Sequence, residues 1–162
     1  HDIDIIMNVV KSDIKSIHAA GVPVICGHAD IANVRLEFES GCVANVTASR
    51  ISIKNQRKIR LFQKDTYVSV DFAGREITII KRDENHAGGV IPGMDIRQLS
   101  FSEADALEDE LASFIEAVSD RKIPVVSGHA GRKALEVALS IMDQINTAIG
   151  RLENSNPLQG GP

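Results

Sequence analysis

Between Asp13 and Phe101 apolar residues recur at about every second position, and this alternation limits the fold more than any other feature of the chain. It is cleanest in ANVRLEFES, where Val34, Leu36 and Phe38 alternate with Arg35, Glu37 and Glu39. A period of two belongs to a strand with one wet face. CVANVTASRIS, RKIRLFQ, TYVSVDF, REITIIK and MDIRQLSF continue the theme, with turn signals at Ser40-Gly41, Lys64-Asp65 and Ala73-Gly74. Connections this short leave no room for crossover helices, so neighbouring strands are expected to pair antiparallel as a meander. The one long irregular piece, RDENHAGGVIPG, is expected to be a mobile surface loop rather than a binding lid.

Helical patterns flank this zone. From Asp2 to Val10, Ile3, Ile6, Met7 and Val10 fall at helical spacing, and Asp2 and Asp4 sit in the first turn, where carboxylates suit the positive end of the helix dipole. After Phe101, Ser102 is the expected cap of a helix whose stripe is Leu107, Leu111, Phe114, Ile115 and Val118. Asp105 stands at its capping-box position and Ile123-Pro124 ends it. Ser127 caps a further helix carrying Ala134, Leu135, Ala138, Leu139, Met142, Ile145 and Ile149, closed by Gly150. Residues 151–162, polar and rich in Pro and Gly, read as a disordered tail. The expected architecture over residues 1–150 is α+β: an open, mainly antiparallel sheet with helices packed on one face. Three helices cover one face of about six strands. On the other, Ala44, Val46 and Ala48 share one side of their strand and suggest a partner surface, with a merely solvated face as the competing reading.

Composition narrows the chemistry. The 162 residues are 43% hydrophobic and 25% charged, with a net charge of -4, which suits a soluble unit with a real core. No basic stripe appears, which disfavours nucleic acid and anionic membranes as partners. No apolar stretch reaches the ~20 residues of a membrane span. Cys26 and Cys42 read as reduced thiols in a cytoplasmic protein. Cys26, His28 and Asp30 have types that suit zinc, but they surround Gly27 in an expected turn, and no metal is assigned to them. His18, His86 and His129 read as a strand, a loop and a first-turn helix residue, and neither G-x-S-x-G nor a P-loop occurs.

The opening HDID, running straight into an apolar helix, resembles the H-x-x-D end of the motif that joins the two domains of the Gfo/Idh/MocA family of nicotinamide-dependent sugar oxidoreductases. His1 and Asp4 match its last two marked positions. DIANVRLEFESGCVANVTASR resembles the family's strand, Gly turn and strand ending in Ala-Ser-Arg, and RKIRLFQKDTYVSVDF resembles the pair that follows. PVVSGHAGRKALEVALSI is similar to the signature of the family's last helix, at Ser127, Gly128, Gly131, Ala134 and Leu135.

This resemblance implies a C-terminal, glyceraldehyde-3-phosphate-dehydrogenase-like domain that binds substrate and oligomerises. NAD or NADP would then be bound mainly by an N-terminal Rossmann domain outside this chain, which has neither G-x-G-x-x-G nor E-K-P. It further implies that His1 is the catalytic base and that Asp4 orients it or contacts substrate, although Asp4 also suits a helix start. Histidine titrates in the right range to take a hydroxyl proton as hydride leaves the same carbon. The expected substrate is a sugar, most like the UDP-N-acetylglucosamine-type nucleotide sugars oxidised at the 3-hydroxyl. Arg50, Lys54 and Arg57, with Lys58, crowd a strand end where a diphosphate would bind, an ordinary charged strand end being the other reading. An inositol or simple sugar dehydrogenase and a catalytically inert oligomerisation module are the alternatives. The expected assembly is a homo-oligomer through the open sheet face.

Overall fold

The computed structural model describes residues 1–83 and 91–154. The central part of the RDENHAGGVIPG loop, with His86, and the tail beyond Asn154 lie outside the described residues. Among the described residues the fold is open and α+β, with three helices and only antiparallel strand pairs: α1 (Asp2–Val10), β1 (Ile14–Val22), β2 (Ile31–Phe38), β3 (Val43–Ser49), β4 (Lys58–Gln63), β5 (Thr66–Asp71), β6 (Glu76–Arg82), β7 (Met94–Ser100), α2 (Ala106–Ser119) and α3 (Gly128–Asn154). The meander is divided between two sheets, β1-β2-β3 and β4-β5-β6-β7, instead of one. Residues 50–57 carry no ladder and separate them. Two compact units result, one holding His1–Ser52 and the chain from Ser113 onward, the other Ile53–Ala112.

In the first unit Val34, Leu36 and Phe38 point to one side of β2, and Ile141, Ile145 and Ile149 of α3 close over them. Ile3, Ile6 and Val10 bring α1 onto the same cluster. At Gly21 β1 and α3 approach closely, and a Cβ there would stand 2.6 Å from Ile145 Cγ2. The Gln144 side-chain amide binds the free edge of β1, with Ala19 N–H donating to Oε1 at 3.0 Å and Nε2 donating to Ile17 C=O at 3.0 Å. Two of this edge strand's open backbone groups are thereby satisfied.

Ala44 and Val46 face this core rather than the open side. Val46 pairs with Val34, Ala44 with Leu36 and Ala48 with Ala32, and opposite residues of an antiparallel pair project to the same face. The open face is mixed, with Ala20, Val22, Ile31 and Val43 on it, but its larger set is polar: Ser16 and His18 on β1, Asn33, Arg35 and Glu37 on β2, Asn45 and Thr47 on β3. Alternation identifies two faces of a strand but not the one that a helix will cover.

The second unit repeats the logic in rows. Ile59, Val70, Ile77 and Leu99 form one cross-strand row, and Leu61, Val68 and Ile79 the next. Its turns are the ones expected at Lys64-Asp65 and Ala73-Gly74, with positive φ falling on Asp65 (60°) and Arg75 (54°). Asp71 Oδ1 accepts the Ala73 and Gly74 N–H groups and closes the second turn.

Three helix details differ from expectation. Asp105 itself caps α2, its Oδ1 accepting Leu107 and Glu108 N–H at 3.0 and 3.1 Å, so Ser102 is not the cap. The helix stops at Ser119, before Ile123-Pro124, with Arg121 at φ 54° and Lys122 N–H bonded to Ala117 C=O. Finally α3 does not close at Gly150: it continues to Asn154, with Ile149 buried and Arg151 in the last turn, where its charge suits the helix dipole. Ser127 does cap α3, accepting Ala130 N–H at 3.2 Å. Its core face is Val137, Ile141, Ile145 and Ile149, whereas Leu135, Leu139 and Met142 are more than half exposed.

Candidate functional site

His1 occupies the N-cap of α1 and is exposed; its C=O accepts Ile5 N–H at 2.9 Å, and its side chain makes no capping bond. Asp4 lies one turn on. Because helical side chains three and four apart share a face, His1, Asp4 and Asn8 run along one stripe, away from the Ile3, Ile6 and Val10 core stripe. Asn8 Nδ2 donates both to Asp4 C=O (3.0 Å) and to Asp4 Oδ1 (3.1 Å).

Asp4 and Asn8 form part of a cleft of about 350 Å³ between α1 and the first turns of α3, lined also by Met7, Lys11, Asp13, His129 and Lys133. Lys11 turns the chain out of α1 through a left-handed conformation at φ 49°. Lys133 Nζ meets Asp13 Oδ1 at 2.6 Å and holds the Asp13 carboxyl below its usual range. His129 stands in the first turn of α3, as its sequence position indicated, but it lines this cleft together with Asp4. Sequence spacing carried no signal for that meeting, which joins residues more than a hundred positions apart.

Three of the four basic candidates have a local engagement. Arg50 Nε pairs with the buried Asp30 Oδ1 at 2.7 Å, while Nη2 donates to Ala29 C=O at 2.9 Å and to Cys26 Sγ at 3.1 Å. Asp30 Oδ2 accepts the N–H groups of Val24, Ile25 and Cys26 at 2.8, 2.7 and 3.2 Å. Those of Ile25 and Val24, above all, hold its carboxyl well below the usual carboxylate range. Arg50 thus ties the 23–30 segment to the end of β3. In the second unit, the Arg57 guanidinium lies 4.9 Å from the Phe72 ring centroid, Lys58 pairs with Asp71 at 2.8 Å, and Lys54 is exposed. Cys26 and Cys42 are free and exposed, and among the described residues no group of three metal-binding side chains occurs.

No family model matches the chain. It is 30% identical over 151 residues to UDP-N-acetylglucosamine 3-dehydrogenase of Acidithiobacillus ferrooxidans, covering 93% of this chain and 48% of that protein. Myo-inositol 2-dehydrogenase of Thermotoga maritima is 28% identical over 145 residues, covering 83% of this chain and 41% of that protein. A solved structure of the A. ferrooxidans enzyme superposes with a TM-score of 0.85 at 30% identity, over 92% of this chain and 47% of the other. A levoglucosan dehydrogenase in complex with NADH and levoglucosan shares the fold, with a TM-score of 0.70 at 14% identity over 92% and 46% of the two chains. The chain spans about half the length of the relatives it matches. In sequence and in fold, the chain is thus similar to the C-terminal domain of the Gfo/Idh/MocA-like dehydrogenases.

Proposed function

We propose that this chain is the substrate-binding and oligomerising part of a nicotinamide-dependent oxidoreductase, and that its substrate is a nucleotide sugar of the UDP-N-acetylglucosamine type. The similarity to UDP-N-acetylglucosamine 3-dehydrogenase over 93% of the chain carries this reading. The described residues do not themselves suit a dinucleotide. A pyrophosphate-binding turn joins a parallel strand to a helix N-terminus, whereas every strand pair here is antiparallel and the sequence lacks G-x-G-x-x-G. NAD or NADP is therefore held outside them, and calorimetry of this chain with NADH is expected to register no binding.

His1 is the base that takes the substrate hydroxyl proton as the carbinol carbon is oxidised to a carbonyl. Asp4 orients the imidazole from the next turn. Arg50 serves the reaction indirectly, through the fold of the 23–30 segment, while Lys54 and Arg57 remain candidates for the diphosphate. The open face of β1-β2-β3 pairs with a second copy. Unbridged thiols at Cys26 and Cys42 suit a reducing cytoplasm, and among the described residues no helix is long and apolar enough to cross a membrane.

A second reading, oxidation of inositol or a simple sugar, is favoured by the similarity to myo-inositol 2-dehydrogenase. Turnover by the protein that includes the cofactor-binding domain, measured with UDP-N-acetylglucosamine and with myo-inositol, separates the two. His1→Ala should lower that turnover by roughly 10²- to 10⁴-fold while leaving cofactor affinity unchanged. Wild-type rates in the variant would remove His1 from the chemistry, and no turnover of either substrate would favour an inert binding module.

A further inference from the structure

We propose that Asn8 is a positioning residue for Asp4, and that His1, Asp4 and Asn8 act as one hydrogen-bonded stripe along α1. The inference rests on the reading of His1 and Asp4 given above and adds to it a residue that no motif marks. Asn8 Nδ2 reaches the Asp4 backbone carbonyl at 3.0 Å and the Asp4 Oδ1 at 3.1 Å, so a single amide group is fixed at two points of the residue it serves. That grip selects one orientation of a carboxylate that otherwise has several staggered positions open to it. With Oδ1 engaged from the C-terminal side, Oδ2 is left for a donor elsewhere.

Side chains on a helix lean toward its N-terminus, so Asn8 leans toward Asp4, and Asp4 leans toward the turn that begins with His1. Other donors offer themselves to Asp4 in the cleft: Lys11, His129 and Lys133, of which Lys133 is bonded to Asp13. Asn8 therefore competes with these alternatives and keeps the Asp4 carboxylate in the orientation that serves His1. Asp2 is the other acid in the first turn of α1 and contributes equally in every variant compared below.

The test uses this chain and nuclear magnetic resonance. The His1 imidazole midpoint and the Asp4 χ1 couplings are measured in the wild type, Asp4→Asn, Asn8→Ala, Asn8→Gln and the double variant Asp4→Asn/Asn8→Ala. Asp4→Asn removes a nearby negative charge and should lower the His1 midpoint by on the order of half a pH unit. Asn8→Ala should shift it the same way by a smaller amount and average the Asp4 χ1 couplings. Asn8→Gln, which can still donate to a carboxylate one turn away, should restore at least part of both signals. In the double variant the loss of Asn8 should add nothing to the shift.

An unchanged His1 midpoint in Asp4→Asn would overturn the pairing of His1 with Asp4 and the stripe with it. A shift in Asp4→Asn with none in Asn8→Ala, or an equal effect of Asn8→Ala with and without the Asp4 carboxylate, would overturn the role of Asn8 alone. Asn8 is exposed and Ala is the better helix former, so Asn8→Ala is expected to fold.

Discussion

Asp30 is buried, at 4% exposure, yet the sequence marks it only as one member of a Cys-x-His-x-Asp stretch. Three backbone N–H groups and Arg50 converge on its carboxylate, and the first two of those N–H groups hold its pKa well below the unfolded value. A group whose folded pKa is depressed stabilises the fold above its unfolded pKa, near 3.9, and that stabilisation is lost as the pH falls from there toward the folded value. Asp30→Asn should therefore lower the urea midpoint most at neutral pH, and the gap to wild type should narrow between about pH 5 and pH 2. A gap of equal size at pH 7 and pH 3 would show that packing rather than charge accounts for the loss. The same geometry explains Arg50: its position near Lys54 and Arg57 in sequence suggested a diphosphate cluster, but burial of Asp30 demands a cation beside it.

Among the elements, β3 tests which way the first sheet faces. Val46 points with Val34 into the α3 side, and Thr47 points with Asn33 to the open side, where its hydroxyl donates to Asn33 Oδ1 at 2.9 Å. Val46→Glu should cost about 2 kcal/mol or more, since it brings a carboxylate against the core without a partner. Thr47→Glu should cost no more than about 1 kcal/mol, the worth of one exposed hydrogen bond. Thermal denaturation of the two variants decides the point, and equal losses would overturn the face assignment. α2 gives the opposite lesson. Its expected stripe of Leu107, Leu111, Phe114, Ile115 and Val118 is there, but each of these residues is more than half exposed. Amphipathic spacing reports that a helix has an apolar side, not that the chain in hand covers it.

For the whole molecule, the question is what a second copy meets. The open face of β1-β2-β3 carries a linked set of polar groups: Ser16 Oγ bonds Glu37 at 3.2 Å, Arg35 bonds Glu37 at 3.1 Å and Asn45 at 3.4 Å, and His18 lies opposite Arg35. The Arg35 contact, with help from Ser16, holds Glu37 below its usual pKa. If copies associate through this face as proposed, Arg35→Glu places two carboxylates side by side on each partner and should dissociate the assembly. Sedimentation velocity at tens of micromolar reads the outcome, with Leu139→Glu on the exposed side of α3 as the control that should leave it intact. A wild type that sediments as a monomer, or loss of assembly in Leu139→Glu alone, overturns the sheet-face contact.

The amino-acid sequence by itself determined the antiparallel meander, the turns at Ser40-Gly41, Lys64-Asp65 and Ala73-Gly74, the α1 boundaries, the Ser127 cap and the family likeness, because each rests on periodicity, turn chemistry or motif within a short window. Only the tertiary structure decided that Ala44 and Val46 face inward, that the strands divide into two sheets, that Arg50 serves Asp30, and that Asp4, Asn8, His129 and Lys133 share a cleft. Those outcomes depend on which distant groups meet, and local spacing has no term for a contact between residue 4 and residue 133. A hydrophobic period sets the faces of an element, whereas burial of area against the rest of the chain chooses among them.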